Sequence, residues 1–528
     1  MAGAREGLSQ EGAISRAARA RELFRRMPKQ SFMFSLLRRS KLRFSPLLTA
    51  AIVGVWVVLI GVILADRYLP GGATDITEGL RIAPAETDDW FLIRIGGAYS
   101  GYGRSRQFRR DDQWTLRDDL SISLNLQGQI KPIRILTESK LDENFRLISF
   151  RLKVSSGIIS FEQNGHMEGR DLLIEIPASQ GGGTKRLKLY ESPRISRSLG
   201  LPVPLTGLQV GEEIRLPIFD PMDGNKWDAV IKVLEKADLE LGGKKVEAWR
   251  VRASLRTLDL TMWIDDEGRL LKGRMPLGIT VTRSDKAEIM REMHATRELP
   301  DMISLTAVPL EGSIPERDDL KLVRLQIQGG KNWPIPSDDF RQKLENSEIV
   351  ITKEALPEST YTLPCKDPKM EEYLTATRFI RSDNDAIIQK AKEIVGDEKD
   401  PVKAAVLINK WVFSYLKKVP TPSVPDAYTV LQTKQGDCNE HAVLAVALAR
   451  SVGLPAQIAV GLIHADDGFY YHAWAAYWAG KKWFTGDPLM NRLPVGPSYV
   501  TLLYGDVDKH VNVISFLGQL KLKVLEAN

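Results

Sequence analysis

The sequence holds little that could ligate a metal or form a cross-link. Its 528 residues include two cysteines, Cys365 and Cys438, and six histidines. Two cysteines exclude a disulfide framework and a Cys-rich zinc module. A metal held by Cys438 and His441 lacks a third and fourth ligand at any usual spacing, so no metal and no cofactor is expected. Between Trp90 and Met293 there is no Gly-rich phosphate loop, metal cluster or repeat.

Excess charge is also missing from most of the chain. The net +6 hides an asymmetry: residues 1–45 carry eleven Lys/Arg and three Glu, a surplus of +8, leaving −2 for residues 46–528. The basic balance belongs to the tail, which removes the case for a nucleic-acid partner. Pro46–Ala65 is a run of twenty uncharged residues, long enough to cross a bilayer once. With its basic flank on the N-terminal side, it predicts a retained anchor with the N-terminus in the cytoplasm. The expected location is therefore single-pass in the cytoplasmic (inner) membrane, with the C-terminal domains extracytoplasmic, that is, periplasmic.

From Trp90 to about Met293 apolar residues recur with period two, as in Leu120-Ile122-Leu124-Leu126 and Leu172-Ile174-Ile176. Turn pairs such as Asn164-Gly165 and Gly242-Gly243 separate the runs. This rhythm predicts an antiparallel sheet, curved or closed into a partial barrel. Met262 to Lys272 bears a weak resemblance to hairpins of periplasmic half-barrel domains, and no ligand follows from it. Asp385–Val395 and Pro401–Lys418 have helical periodicity, and Val511 to Leu525 alternates as a further strand would.

The chemistry gathers near the C-terminus. Asp437 can cap a helix over residues 438–450, with Glu440 completing a capping box and Gly453 and Pro455 ending it. Cys438 then occupies the first helical position, where the helix dipole favours a thiolate. Downstream, Phe469–Trp478 and Lys482–Thr485 read as a hairpin. With Ala479-Gly480 as a two-residue loop, His472 lies directly opposite Asp487; with Gly480-Lys481 as the loop, the two are diagonal neighbours on one face. Both registers leave them within reach. Cysteine, histidine and aspartate in this arrangement are a nucleophile, a base and an orienting carboxylate.

The stretch from about Tyr373 to Tyr499 resembles the transglutaminase-like superfamily of papain-like cysteine enzymes in its bacterial form. The resemblance rests on Gly-Asp-Cys-Asn-Glu-His-Ala at 436–442, Ala-Arg-Ser-Val-Gly-Leu-Pro-Ala at 449–456, Tyr-His-Ala-Trp at 471–474 and Trp-Phe-Thr-Gly-Asp-Pro at 483–488. It implies a cysteine-bearing helix packed on an antiparallel sheet, with Cys438 as nucleophile, His472 as base and Asp487 as orienter. Two positions depart from the pattern: Gln457 replaces an arginine, and Ala473, Ala475 and Ala476 leave the histidine strand without an acidic residue.

The expected fold class is α+β: a single N-terminal transmembrane helix, an antiparallel β-rich middle domain and a C-terminal papain-like α+β domain. The expected order is a basic cytoplasmic tail (1–45), transmembrane helix (46–66), linker (67–79), β-rich extracytoplasmic domain (80–295), bridging strands (296–364), transglutaminase-like domain (365–505) and C-terminal strand extension (506–528). The expected activity is attack on a peptide or carboxamide bond of an envelope or external protein. Hydrolysis is favoured, because amine transfer needs a water-excluding site that the sequence does not display. The competing class is a non-catalytic envelope scaffold that keeps this fold for binding. A Cys365–Cys438 disulfide would remove the nucleophile.

Overall fold

The computed structural model describes residues 86–528 except 127, 157–158, 177–182, 189–208, 220–225, 256–257, 267, 296–297, 317–318, 330–334, 339, 420–425, 466–467, 508–509, 511–512, 514–516 and 518–519. Fourteen strands between Thr87 and Ser284 form one antiparallel sheet. Its first strand, Thr87–Ile95, pairs with its last, Ile279–Ser284, through registers such as Ile93↔Val281. From that central seam one meander runs out to Gly183–Lys188 and the other to Glu213–Phe219. Among the described residues no pairing joins these two outer strands. The period-two reading is visible directly: Leu120, Ile122, Leu124 and Leu126 are buried, while Ser121, Ser123 and Asn125 between them are half-exposed. These side chains join Ile93, Leu116, Val251 and Ile264 in one apolar cluster, since successive side chains leave opposite faces of a strand. Gly242 and Gly243, both at positive φ, make the two-residue turn between Leu241 and Lys244, as a hairpin of this twist requires.

A second sheet has nine strands. Its order is Gln342–Glu345, Glu348–Thr352, Leu322–Gln328, Lys521–Ala527, Val308–Glu311, Gly468–Trp478, Ala456–Ala465 and Tyr499–Tyr504, with Trp483–Gly486 pairing on Gly468–Trp478. The strands before the cysteine helix and the last strand of the chain thus share a sheet with the strand that carries His472. The C-terminal strand occupies Lys521–Ala527. Upstream of it Val507, His510, Val513, Leu517 and Leu520 are buried.

Helices Asp385–Val395 and Pro401–Tyr415 begin at the caps Asn384 and Asp400. They pack against the helix Cys438–Ser451, twelve of whose fourteen residues are buried. Ala442, Ala445, Ala447 and Ala449 are all fully buried; small side chains let this helix run through the core with neighbours on every side.

The expected fold class needs correction. The described chain is predominantly β, with helix concentrated between 385 and 451. Among the described residues no helix is long and apolar enough to cross a membrane. The longest, Pro401–Tyr415, has 15 residues, short of the roughly 20 a bilayer requires. The predicted span at 46–66 lies outside the described residues. The single-pass location inferred from it has no support in the structure and is withdrawn.

Gly461 sits between two strands of the site, facing His472 on one side and Thr501 on the other. A Cβ there would lie 1.9 Å from the Val500 carbonyl oxygen. Gly461→Ala is expected to lower unfolding free energy by about 1–3 kcal/mol, the usual cost of overpacking, read as an earlier urea midpoint; an unchanged midpoint would contradict this packing.

Candidate active site

Cys438 is placed by a capping box. The Asp437 side chain accepts from the Asn439 N–H at 3.2 Å, and Glu440 accepts from the Asp437 N–H at 3.0 Å. Gly436 makes room for this return contact, since a Cβ there would lie 2.2 Å from the Glu440 Cβ. The thiol is fully buried at the head of the helix. Burial pushes its pKa well up and the Asp437 carboxylate adds to this, while a hydrogen bond from the Ala473 N–H works in the other direction. Loss of water around the sulfur thus works against the thiolate that the helix dipole favours. The Ala473 contact also locates the sulfur, because it comes from the residue next to His472.

His472 and Asp487 meet across the predicted hairpin. Trp478 pairs with Trp483, so Gly480-Lys481 is the loop and the diagonal register holds. His472 Nε2 lies 2.7 Å from Asp487 Oδ2. The other ring nitrogen, Nδ1, is buried without a hydrogen-bond partner among the described residues. Trp474 stacks near the ring at 6.0 Å between centroids. Asp487 is fully satisfied. Its Oδ2 also accepts from the Tyr499 hydroxyl at 2.8 Å, and its Oδ1 from the Leu489 and Met490 N–H groups at 2.8 and 3.0 Å. Burial alone would raise this carboxyl. The His472 charge and these donors reverse the shift and hold it below the usual range.

Several residues around the site were not anticipated. Tyr499 supports the carboxylate, and Asn409 donates to the Asp487 carbonyl at 3.2 Å. On the other flank the Tyr471 hydroxyl donates to Asn439 Oδ1 at 3.1 Å and lies 3.3 Å from His510 Nδ1. A lone tyrosine or histidine far along the chain carries no local pattern, and only tertiary packing identifies these. Both cysteines are free. The Cys365 N–H donates to the Gly453 carbonyl, just past the far end of the helix that Cys438 begins. A 14-residue helix is about 20 Å long, far beyond disulfide reach.

Burial depresses His441 and His510 to about 3. Folded values below the unfolded 6.5 contribute stability above pH 6.5, which is lost as pH falls toward 3. Glu354, which burial pushes up to about 7, acts with the opposite sign between pH 7 and 4.5. His510→Phe should therefore flatten the fall in stability between pH 6.5 and 4.5 by roughly 1 kcal/mol per pH unit. Urea midpoints at three pH values measure this, and parallel curves for the two proteins would refute it.

Residues 388–488 match the transglutaminase-like superfamily. No curated protein matches the chain. Among solved structures, a candidate cysteine protease from Cytophaga hutchinsonii is 15% identical, covering 40% of this chain and 87% of its own, with a TM-score of 0.26. A candidate protease from Parabacteroides distasonis is 12% identical over 67% of each chain, with a TM-score of 0.18. A β-barrel-like protein of a domain of unknown function from Brucella abortus is 10% identical over 39% of this chain and 98% of its own, with a TM-score of 0.29. The stretch 388–488, which contains Cys438, His472 and Asp487, is a transglutaminase-like domain.

Proposed function

We propose that the protein is a cysteine peptidase or amidase acting through Cys438, His472 and Asp487. One observation carries this reading: Asp487 binds Nε2 of His472, leaving Nδ1 unpartnered on a strand whose next N–H reaches the Cys438 sulfur. Asp487 fixes the tautomer with the proton on Nε2, so Nδ1 is the basic nitrogen. His472 Nδ1 takes the thiol proton as sulfur adds to the substrate carbonyl. The Cys438 backbone N–H, at the helix start, donates to the developing oxyanion. His472 then passes the proton to the leaving amine, the C–N bond breaks and a thioester remains. Water, deprotonated by His472, releases the carboxylic acid and restores the thiol.

A second reading has one observation in its favour. Cys438, His472 and Asp487 are all fully buried, and a site closed to water suits transfer to an amine. Peptide turnover with and without hydroxylamine separates the two: hydrolysis yields the free acid throughout, and transfer yields the hydroxamate.

Cys438→Ala should abolish turnover. Tyr499→Phe, which removes one donor to a buried carboxylate, should lower kcat/KM about tenfold. His472→Ala, which removes the base, should lower kcat/KM at least about a hundredfold. Turnover unchanged in Cys438→Ala or in His472→Ala would overturn the enzyme reading.

A further inference from the structure

Two groups beside the triad have no role in this reaction. His441 follows Cys438 by three residues, one turn along the same helix face. Its ring Nδ1 lies 2.6 Å from the Asp437 carbonyl oxygen. A carbonyl only accepts, so Nδ1 carries the proton and Nε2 of the neutral ring presents a lone pair. That Nε2 is buried and has no partner among the described residues. An unmet buried acceptor is costly, and an arriving N–H would meet it. His441 lies within electrostatic range of Lys418, Asp487 and His472.

Lys418 lies beside the head of the helix. Its backbone pairs with Gly436, two residues before Cys438. The ammonium sits 3.5 Å from the Phe413 ring centre and 3.5 Å from the Phe413 carbonyl oxygen. No carboxylate among the described residues forms an ion pair with it. Burial pulls its pKa down, and the Asp487 charge partly opposes this. It is half-exposed, whereas the three triad residues are fully buried.

Building on the peptidase reading, we propose that Lys418 and His441 form the subsite for the leaving side of the scissile bond, and that it takes the C-terminal residue of a peptide, whose free carboxylate follows directly on the scissile N–H. His441 Nε2 accepts that N–H, and Lys418 pairs with the carboxylate. An internal bond would set a neutral amide against Lys418, and an ester would leave Nε2 unmet. The reaction releases one free amino acid: the C–N bond breaks, the amine takes the His472 proton, and water supplies the acid on the remaining peptide.

The test uses the full chain with Cys365→Ser, leaving Cys438 as its one thiol. Iodoacetate and iodoacetamide place the same electrophile beside a carboxylate or a carboxamide. The iodoacetate-to-iodoacetamide rate ratio at Cys438 should exceed that of free cysteine, fall about tenfold in Lys418→Met, and fall with added salt, which screens a half-exposed pair. Peptides with a free C-terminus should lose their last residue, and the same peptides amidated should not. His441→Phe should raise KM more for a peptide than for its ester analogue, with His441→Gln partly restoring it. If Cys438→Ala turns over the same peptides as fast as the parent chain, the cysteine-enzyme reading itself fails. If turnover depends on Cys438 but Lys418→Met leaves the ratio alone, or if amidated peptides are cut equally well, the subsite is overturned while the enzyme reading stands.

Discussion

A buried carboxylate is tolerable only when its oxygens are met, and Asp487 is the one on which this site depends. Four donors converge on it from His472, Tyr499, Leu489 and Met490. Stripping water from such a charge costs several kcal/mol even after relaxation. The fold must therefore bring three segments to one point and keep them there. The antiparallel bridge between Asp487 and Arg492, with N–H···O distances of 2.7 and 3.1 Å, closes the turn that supplies two of the donors. The hairpin supplies the third and the strand Tyr499–Tyr504 the fourth.

That last strand is anchored from outside the matched stretch. Buried Arg341 donates to the Tyr499 carbonyl at 2.7 Å, the Gly496 carbonyl at 3.2 Å and the Thr501 hydroxyl at 3.0 Å. Gln342 pairs with the Thr501 backbone as a strand would, at 2.7 and 2.8 Å. Glu354 accepts from both the N–H and the hydroxyl of Thr485, two residues before Asp487. These residues lie more than thirty positions before the matched stretch begins at 388. Buried polar clamps of this kind are costly if half-satisfied and rigidifying if complete. They place Tyr499, and through it the carboxylate, under the control of strands that contribute no candidate triad residue.

This division explains what the sequence could and could not disclose. The capping box, the helix start at Cys438 and the diagonal meeting of His472 with Asp487 are local: each is set by spacing along one helix or across one hairpin, and each is found as read. Period two in the long sheet is local as well. Tyr499, Arg341, Gln342, Glu354 and His510 act over separations of twelve to 160 residues, where spacing carries no information and only the completed sheet brings partners together. The correction toward a predominantly β chain has a related cause. Helical periodicity marked the segments around the cysteine clearly, whereas short strands such as Val308–Glu311 and Gln342–Glu345 are too brief to register as a pattern. The burial that opposes a Cys438 thiolate cannot be seen from sequence, whereas the helix dipole that favours one can.

The buried thiol and the charged carboxylate are consistent once the resting state is taken as a closed one. In water-free surroundings an uncompensated thiolate would be expensive, so the proton stays on sulfur until a base can take it. Asp487 already carries the only negative charge the site needs to stabilise an imidazolium at His472. Proton transfer from Cys438 to His472 then creates a pair whose two charges lie close together and whose positive end already faces a carboxylate. Such a transfer separates little net charge and needs little solvent. It becomes favourable when a substrate carbonyl removes the thiolate as it forms. Burial around the sulfur thus ties the proposed reactivity of Cys438 to substrate entry.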